Sequence, residues 1–288
     1  MTWFVLSLLS IFALATAELV QQHLLNLKNA FDARTSAVLT FLVQAILTIP
    51  FLFIFGVANQ IFSVFVPAVF PKVLLVSFLG SVAMVFYLKS FQVKNISLSV
   101  IFVSFSAIVS TGLGIMIFSE STSGLKFLGI ALILVAIIVA NYKNAISEKN
   151  HWYGLAAGAI FGVCYTLDKS IVASIHPLVY IFWSFSMVAF FGFLLGAKKV
   201  ILSIKNKKLD AYKPIIFSGV GYFLYNFFTF TAYRFGGEVG RIDAINNSEV
   251  FLIILFEFFV MKHTEGTTRK LLSAGLAIMG ILILGWVK

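Results

Sequence analysis

Apolar residues fill ten long stretches of this chain, and short polar gaps separate them. A helix that crosses a bilayer needs roughly 20 mainly apolar residues to span ~30 Å of hydrocarbon. Inside hydrocarbon every backbone N–H and C=O must be paired internally, which restricts spans to helices and closed barrels. The stretches are continuous and lack the period-two alternation of barrel strands, so they predict helices. The predicted helices are 2–24, 35–57, 71–91, 96–118, 125–142, 152–172, 177–197, 213–233, 240–261 and 269–287.

The composition agrees with an all-α membrane protein. Of the 288 residues, 60% are hydrophobic and 11% are charged, and the mean hydropathy is +1.02. The N-terminus has one feature of a cleaved signal peptide, because Ala15-Thr16-Ala17 has the small-x-small pattern of a signal-peptidase site. Residues 1–10 contain no Lys or Arg, however, and apolar character resumes at Leu19. We therefore expect the first segment to be retained as a helix.

The two halves of the chain have matching segments and gaps. Five predicted helices precede the polar stretch 143–150, and five follow it. A shift of 146 residues places Tyr87 on Tyr233 and Gly129 on Gly275. An odd number of crossings per half inverts the second half in the membrane, and inverted repeats of this kind build alternating-access transporters. The sequence therefore predicts ten transmembrane helices arranged as two inverted five-helix repeats, residues 1–146 and 147–288.

The basic residues predict an orientation. Of the 21 Lys and Arg residues, 15 fall in the gaps after the odd-numbered predicted helices and six at the opposite face. The positive-inside rule makes the richer face cytoplasmic and leaves both termini outside. The longest gap, between helices 7 and 8, supplies six of the 15, so the remaining bias is nine to six.

The same bases explain the net charge of +10 without a nucleic-acid partner, since no basic stripe interleaved with aromatic residues lies outside the spans. Cys164 is the only cysteine, and the four histidines are scattered singly near segment ends. We therefore expect no metal site of Cys or His, and no cofactor, because the chain also lacks a Gly-rich phosphate loop.

Glu18 is the most informative polar residue within an apolar segment. It lies about five residues, or ~7 Å at 1.5 Å per residue, past the middle of the first predicted helix. An ionisable group at this depth faces a polar cavity or a partner. One interpretation is a buried ion pair with a base such as Lys89 or Lys94. The other is a protonatable carboxylate that couples protons to transport or binds substrate.

The ninth segment is the most polar span. At 100° per residue, the polar positions from Asp243 onward fall within an arc of about 160°. The members of this set are Asp243, Asn246, Asn247, Glu249 and Glu257. A helix with one polar and one apolar face either lines a cavity or forms interhelical hydrogen bonds. We predict a cavity, with Glu257 less involved because it lies near Lys262 and the interface.

Other features have weaker functional content. Gly154, Gly158 and Gly162 form a ridge of small residues that predicts close helix packing. Asp168 and Lys169 are interpreted as an adjacent charged pair at the membrane interface. Aromatic side chains could stack on or hydrogen-bond a substrate, and the candidates are Tyr87, Tyr165, Trp183, Tyr225 and Tyr233.

With helices and halves placed, the chain resembles the drug/metabolite transporter superfamily, in its ten-helix EamA branch. Two stretches, 87–133 and 233–279, carry the likeness. In each, a span ends near a glutamate and the next span begins with a glycine about ten residues later, as EamA halves typically do; the pairs are Glu120 with Gly129 and Glu265 with Gly275.

A second resemblance concerns the segment Ala17-Glu18-Leu-Val. It is similar to the first helix of the four-helix small multidrug resistance transporters, where a membrane-embedded Glu couples proton and cation binding. This resemblance implies a coupling role for Glu18 alone. The sixth predicted helix has no matching Glu and offers Asp168 later in its span, so a symmetrical two-carboxylate mechanism does not follow.

Together these features predict a secondary active transporter, a proton-coupled exporter or exchanger of a small metabolite or amphipathic compound, and not an enzyme. We expect a multi-pass protein of the inner (cytoplasmic) membrane, surrounded by lipids and existing as a monomer or homodimer. The alternatives are a flippase for a lipid-linked carrier and a membrane-embedded enzyme. The enzyme is disfavoured because the sequence has no zinc motif, Ser/Lys dyad or Asp pair on facing spans.

Overall fold

The computed structural model describes residues 2–25, 31–90, 102–141, 151–205, 207, 209–259 and 267–286. Within these ranges all regular structure is helical, which confirms the predicted all-α class. The α-helices are α1 (Thr2–Leu25), α2 (Ala33–Ile54), α3 (Phe70–Ser90), α4 (Phe105–Phe118), α5 (Gly124–Asn141), α6 (His151–Val172), α7 (Pro177–Leu194), α8 (Ala197–Lys205), α9 (Lys213–Arg234), α10 (Val239–Asn246), α11 (Glu249–Phe259) and α12 (Thr267–Trp286). Two 3-10 helices, Ala58–Phe65 and Leu209–Tyr212, lie between them.

Each of the ten predicted segments contains at least one of these helices. Six helical stretches are long and apolar enough to cross a membrane, namely Thr2–Gln21, Ala33–Ile54, Phe70–Ser90, Trp152–Val172, Pro177–Leu194 and Leu209–Arg234. Three shorter apolar helices are Phe105–Phe118, Gly124–Val139 and Leu272–Trp286. By length and composition the chain is a multi-pass membrane protein.

Two features differ from the hydropathy prediction. The segment 240–261 is not one continuous helix, because it divides into α10 and α11 at Asn247 and Ser248. The lysine-rich gap after α7 contains the short helix α8, whose nine residues include three lysines. A segment so short and so basic cannot be detected by a search for membrane-length apolar runs, although Val200 on its inner face is buried.

Local sequence explains where several helices begin and end. Asp32 caps α2, since its Oδ1 accepts hydrogen bonds from the backbone N–H groups of Arg34 at 3.1 Å and Thr35 at 3.3 Å. Pro177 begins α7, at a position where its missing N–H costs nothing. Ser119 adopts the left-handed conformation, with φ of 52°, and ends α4.

The helices pack in pairs around a common centre. The most extensive pairings are α1 with α9, α5 with α12, α2 with α7, α3 with α6, and α4 with α6. The predicted close approach along α6 is confirmed at two glycines: a Cβ at Gly158 would lie 2.5 Å from the carbonyl oxygen of Val103, and one at Gly162 would lie 2.6 Å from the Cβ of Val109. Gly129 on α5 allows an equally close approach to Leu284 on α12.

The outer surface of the bundle is apolar, unlike that of a water-soluble protein, and polar side chains are buried inside it. Large apolar side chains such as Phe53, Phe62 and Met116 are more than 70% exposed on the outside. Buried positions carry many hydroxyl, amide and carboxylate groups, among them Gln44 and Thr48 on α2. Lipid tails solvate the apolar exterior at no cost, whereas polar groups must find partners within the protein. The interior is therefore where functional chemistry is expected.

Candidate functional site

A central cavity of about 110 Å³ lies between nine of the helices. Its wall is formed by residues of α1, α2, α3, α6, α7, α9, α10 and α11, together with Val103 and Ser106 at the beginning of α4. No described residue of α5, α8 or α12 contributes to it. The volume is several times the roughly 10–15 Å³ that one buried water needs.

The cavity is strongly acidic. Four carboxylates line it, from Glu18 on α1, Asp168 on α6, Asp243 on α10 and Glu249 on α11. Each of these residues is at most 5% exposed. None of the described wall residues is a Lys, Arg or His. Four acidic groups without a base at membrane depth are costly to maintain unless they are protonated, hydrogen-bonded or matched by a ligand.

The break between α10 and α11 places polar groups on the cavity wall. The Oγ of Ser248 accompanies its own backbone N–H in donating to the carbonyl of Ile245, at 2.6 and 3.0 Å, so these bonds replace the regular helical pattern. Asn247 lies in the turn and Glu249 begins α11. Non-helical backbone at membrane depth is tolerated where it lines a cavity, and discontinuous helices form the binding sites of many transporters.

Asp243 is held by side chains from its own helix and from α4. Its Oδ1 accepts from the Oγ of Ser106 at 3.0 Å and from the Nδ2 of Asn247 at 2.9 Å. Its Oδ2 accepts from the Oγ of Ser110 at 2.8 Å. Both carboxylate oxygens are therefore satisfied within the protein, and the residue ties α10 to α4.

Asn246 joins three helices. Its Oδ1 accepts a hydrogen bond of 2.5 Å from the Oγ of Ser10 on α1, and its Nδ2 donates to the Oγ1 of Thr229 on α9 at 3.2 Å. The prediction that the polar residues of segment 240–261 face a cavity assumed a continuous helix, which is incorrect. The cavity nevertheless contacts Asp243, Asn246, Asn247 and Glu249. The side chain of Glu257 lies outside the described residues.

Glu18 projects from α1 and accepts a hydrogen bond from the phenol of Tyr87 on α3. Its second oxygen, Oε2, is buried without a hydrogen-bond partner. None of the described ion pairs joins Glu18 to Lys89, the partner that the sequence allowed, and the Lys89 ammonium lies 5.1 Å from the centre of the Tyr153 ring. Lys94 lies outside the described residues.

Asp168 is a wall residue whose placement the sequence did not predict. Instead of pairing with Lys169 at the interface, it faces the cavity and accepts from the phenol of Tyr180 on α7. Adjacent residues on a helix point in directions about 100° apart, so Lys169 is directed away from it. The wall also contains Gln44 and Asn226, joined at 3.0 Å, and Tyr222. Asp168 and Asn226 are polar residues within apolar segments, and this property could have predicted from the sequence that they line the cavity.

The aromatic candidates separate into two groups. Tyr87, Tyr165 and Tyr225 lie on the cavity wall, and the hydroxyl oxygens of Tyr165 and Tyr225 are 3.5 Å apart. Trp183 and Tyr233 do not line it. The indole N–H of Trp183 donates instead to the carbonyl of Ile61 at 2.7 Å, which holds the ring against the 3-10 helix after α2. Tyr233 is buried and stacks near Phe230.

A second group of largely buried charges lies outside the cavity wall. We call it the ion-pair cluster, and it consists of Glu120, Lys126, Lys169, Glu238 and Arg241. The Lys126 ammonium is fully buried between Oε2 of Glu120 at 3.3 Å and Oε2 of Glu238 at 2.8 Å.

The remaining contacts of the ion-pair cluster join α6 and α10 to the turn between α4 and α5. Lys169 on α6 pairs with Oε1 of Glu120 at 2.8 Å, and Arg241 on α10 pairs with Oε2 of Glu238 at 3.0 Å. Oε1 of Glu120 also accepts from the first backbone N–H of α10, that of Val239, at 2.7 Å. The sequence resemblance pointed to Glu120 as a family feature, and the structure places it at the centre of this cluster.

The second half of the chain is similar to a known family. Residues 149–286 match the EamA-like transporter family. No curated protein sequence matches the chain. One solved crystal structure of a protein has a similar fold, with a TM-score of 0.75 and 12% sequence identity, over 98% of this chain and 95% of that one. The resemblance that the sequence predicted is therefore confirmed.

Proposed function

We propose that this chain, a relative of the EamA-like transporters, is a secondary active transporter that exchanges protons for a small metabolite or amphipathic compound across the cytoplasmic membrane. The observation that carries the proposal is the buried cavity, enclosed by helices from both halves and lined by four carboxylates. A multi-pass protein gains nothing in stability from such a cavity, because unpaired carboxylates in hydrocarbon are costly. A transported ligand or proton gives them a role.

The packing pattern supports the inverted repeat of residues 1–146 and 147–288. Matching the helices in order pairs α1 with α6, α2 with α7, α3 with α9, α4 with α10 and α11, and α5 with α12. Exchanging the halves then turns one set of observed contacts into another. The contact of α1 with α9 becomes that of α6 with α3, and the contact of α4 with α6 becomes that of α10 and α11 with α1. Such a repeat allows the two membrane faces to alternate in opening towards one site.

Proton coupling is assigned to Glu18 in this proposal. The residue is a carboxylate at membrane depth with one hydrogen-bond donor and one free oxygen, so it can take up a proton without breaking its bond to Tyr87. It also shares the cavity with Glu249, and the negative charges of the two carboxylates repel each other. Protonation of either residue relieves that repulsion, which links the proton to the occupancy of the cavity.

Glu18→Gln tests the proposal. The amide has the shape of the acid but cannot exchange a proton, so the variant should fold and lose pH-driven transport while retaining substrate exchange. Comparing the metabolites of cells with and without the protein identifies candidate substrates, and uptake into proteoliposomes containing a pH-sensitive dye measures coupling.

Asp210→Asn is the matched control, since Asp210 is an exposed acid that does not line the cavity. Full pH-driven transport by Glu18→Gln would show that this residue does not couple protons. Absence of any solute flux in the wild type, with lipid scrambling instead, would favour the flippase.

A further inference from the structure

The connection between α7 and α9 concentrates positive charge. Residues 195–213 contain six lysines and one acid, Asp210. This acid is already paired, since its Oδ1 lies 2.9 Å from the ammonium of Lys213. None of the described ion pairs involves Lys198, Lys199 or Lys205. The charge of these lysines is therefore balanced from outside this segment.

The connection lies at one surface of the membrane. α7 and α9 are both long and apolar enough to cross a bilayer, so the chain that joins them stays at one face. α8 begins shortly after α7 ends and packs against α2 and α7. The guanidinium of Arg34, at the beginning of α2, donates to the carbonyl of Leu195 and holds the turn before α8 against the bundle. The short helix is therefore fixed beside the ends of two membrane-spanning helices.

The two sides of α8 have different surroundings. On the side towards the bundle, Val200 is 1% exposed and Ile204 packs against the core. At about 100° per residue, four positions share an arc of about 100° on the opposite side. All four are exposed, and we call them the α8 outer face: Lys198, Ile201, Leu202 and Lys205.

The α8 outer face fits the boundary between lipid headgroups and acyl chains. Ile201 and Leu202 are 54% and 53% exposed, and a lysine lies beyond each of them along the helix. Lysine side chains lay their carbon stems along apolar surface and extend the ammonium into polar surroundings. On α7, Phe190 and Leu194 lie one turn apart and are each 56% exposed. The lipid-facing surface of α7 therefore leads, in chain order, to the α8 outer face.

The two lysines select the kind of lipid. Lys198 and Lys205 are seven residues apart, or ~10.5 Å along the helix, so each can bind a separate phosphate group. The positive-inside rule makes this face cytoplasmic. Anionic lipids of the cytoplasmic leaflet attract basic segments close to the membrane, whereas a zwitterionic headgroup has no net charge to match them.

We propose that the α8 outer face is a binding site for anionic phospholipid. The headgroup phosphates bind Lys198 and Lys205, and the upper part of the acyl chains contacts Ile201 and Leu202. No described residue of α8 lines the central cavity, so the inference does not depend on the transported solute. Bound lipid holds the connection between α7 and α9 on the bilayer surface.

Native mass spectrometry of the purified full-length protein in detergent tests the proposal. The protein is titrated with phosphatidylglycerol or with phosphatidylcholine of the same acyl chains. The first phosphatidylglycerol should bind at least about tenfold more tightly than the first phosphatidylcholine. The double variant Lys198→Gln/Lys205→Gln should weaken phosphatidylglycerol binding about 25-fold, because each lysine contributes about fivefold. Lys198→Arg/Lys205→Arg keeps both charges and should bind as the wild type does.

Single substitutions locate the charge. Lys198→Gln alone should weaken phosphatidylglycerol binding about fivefold. Lys72→Gln removes an exposed lysine at the beginning of α3 and should leave the affinity unchanged. The melting temperature of each variant without added lipid checks that it is folded. Equal affinity of the double glutamine variant and the wild type would overturn the site, and equal affinity for the two lipids would overturn its selectivity for anions.

Two further measurements separate a lipid from other anions. Ile201→Ser/Leu202→Ser keeps both lysines and should weaken phosphatidylglycerol binding at least about tenfold, because the acyl chains lose apolar contact. Glycerol phosphate, which has the phosphate without acyl chains, should not displace the lipid at equal concentration. Displacement by glycerol phosphate would assign the lysines to a free phosphate ester. Tighter binding of a glutamate-rich peptide than of phosphatidylglycerol would assign the face to an acidic protein partner and overturn the lipid.

Discussion

The cavity and the ion-pair cluster both contain buried acids, but only in the cluster are the acids paired with bases. In the cluster, two glutamates are matched by two lysines and an arginine at 2.8–3.3 Å. In the cavity, four carboxylates face no described base. Paired buried charges hold elements in place, because removing one partner leaves the other exposed to low dielectric. Unpaired charges remain available for a ligand.

The chain positions of the two regions show how closely they are connected. Lys169 of the cluster follows Asp168 of the cavity, and Arg241 precedes Asp243 by two residues. One face of α6 and of α10 therefore serves the cluster while another face serves the cavity. This arrangement lets the cluster hold the ends of α6 and α10 against the turn between α4 and α5.

The largest effect is expected from breaking the cluster at Lys126. Lys126→Met keeps a long apolar side chain but removes the ammonium that the buried Glu120 shares with the partly exposed Glu238. Removing one partner of a buried pair typically costs about 3–5 kcal/mol. The free energy of unfolding in detergent should fall by this amount, measured by denaturant titration. Glu18→Gln in the cavity should change it by less than about 1 kcal/mol. Equal losses in both variants would remove the distinction between the two regions.

A base introduced into the cavity should make it resemble the cluster. Leu14 lies one turn before Glu18 on the same face of α1 and lines the cavity. The ammonium of Leu14→Lys can pair with the carboxylate of Glu18, so pH-driven transport into proteoliposomes should fall by more than about tenfold. Leu14→Met, which adds length without charge, serves as the control. Unchanged pH-driven transport by the lysine variant would mean that protons are not coupled through Glu18.

Weakening the cluster at its edge should loosen the cavity without unfolding the protein. Lys169 is partly exposed and pairs only with Glu120 among the described ion pairs. Cys164, on the cavity wall and on the same helix, is a natural reporter. In Lys169→Met, the labelling rate of Cys164 by a maleimide should rise roughly three- to tenfold, as the loss of about 1 kcal/mol of pairing would give. The exposed Lys199→Met should label at the wild-type rate, and an identical rate in both would show that the cluster does not restrain α6.

The smallest effect is expected at the exposed pair of Asp210 and Lys213. Oδ1 of Asp210 lies 2.9 Å from the ammonium of Lys213, and both side chains are exposed. Because both side chains face solvent, water and salt screen the pair. Asp210→Asn should leave the melting temperature unchanged at neutral pH, and a clear decrease would mean that exposed pairs also contribute.

The sequence predicted the helical segments well because each depends only on local content. Membrane-length apolar runs must be helical whatever their neighbours are, and all ten contained helices. The break at Asn247 and Ser248 was missed because hydropathy averages over a window, and a two-residue turn in a polar stretch hardly changes that average. The break arises locally, because the hydroxyl of Ser248 donates a hydrogen bond to the backbone carbonyl of Ile245. Non-helical backbone at this depth is tolerated only because it is buried within the bundle.

The candidate site was predicted in part for the same reason. Glu18, Asp243, Asn246, Asn247 and Glu249 are polar groups in apolar segments, and all five reach the cavity. Asp168 was assigned to the interface because it lies near the end of its segment, and Trp183 was assigned to the cavity because of its residue type alone. Neither error could be removed without knowing which way α6 and α7 are rotated.

By itself, the sequence determined the class of the protein, the approximate helix positions and the presence of acids at membrane depth, since these follow from the cost of exposing backbone and charge to hydrocarbon. Only the tertiary structure decided which acids have partners. Lys126 and Glu238 are far apart in the chain, as are Glu18 and Glu249, and nothing in their spacing separates a matched set from an unmatched one. Whether a buried acid meets a base depends on how the helices pack and rotate, and this distinguishes the ion-pair cluster from the cavity.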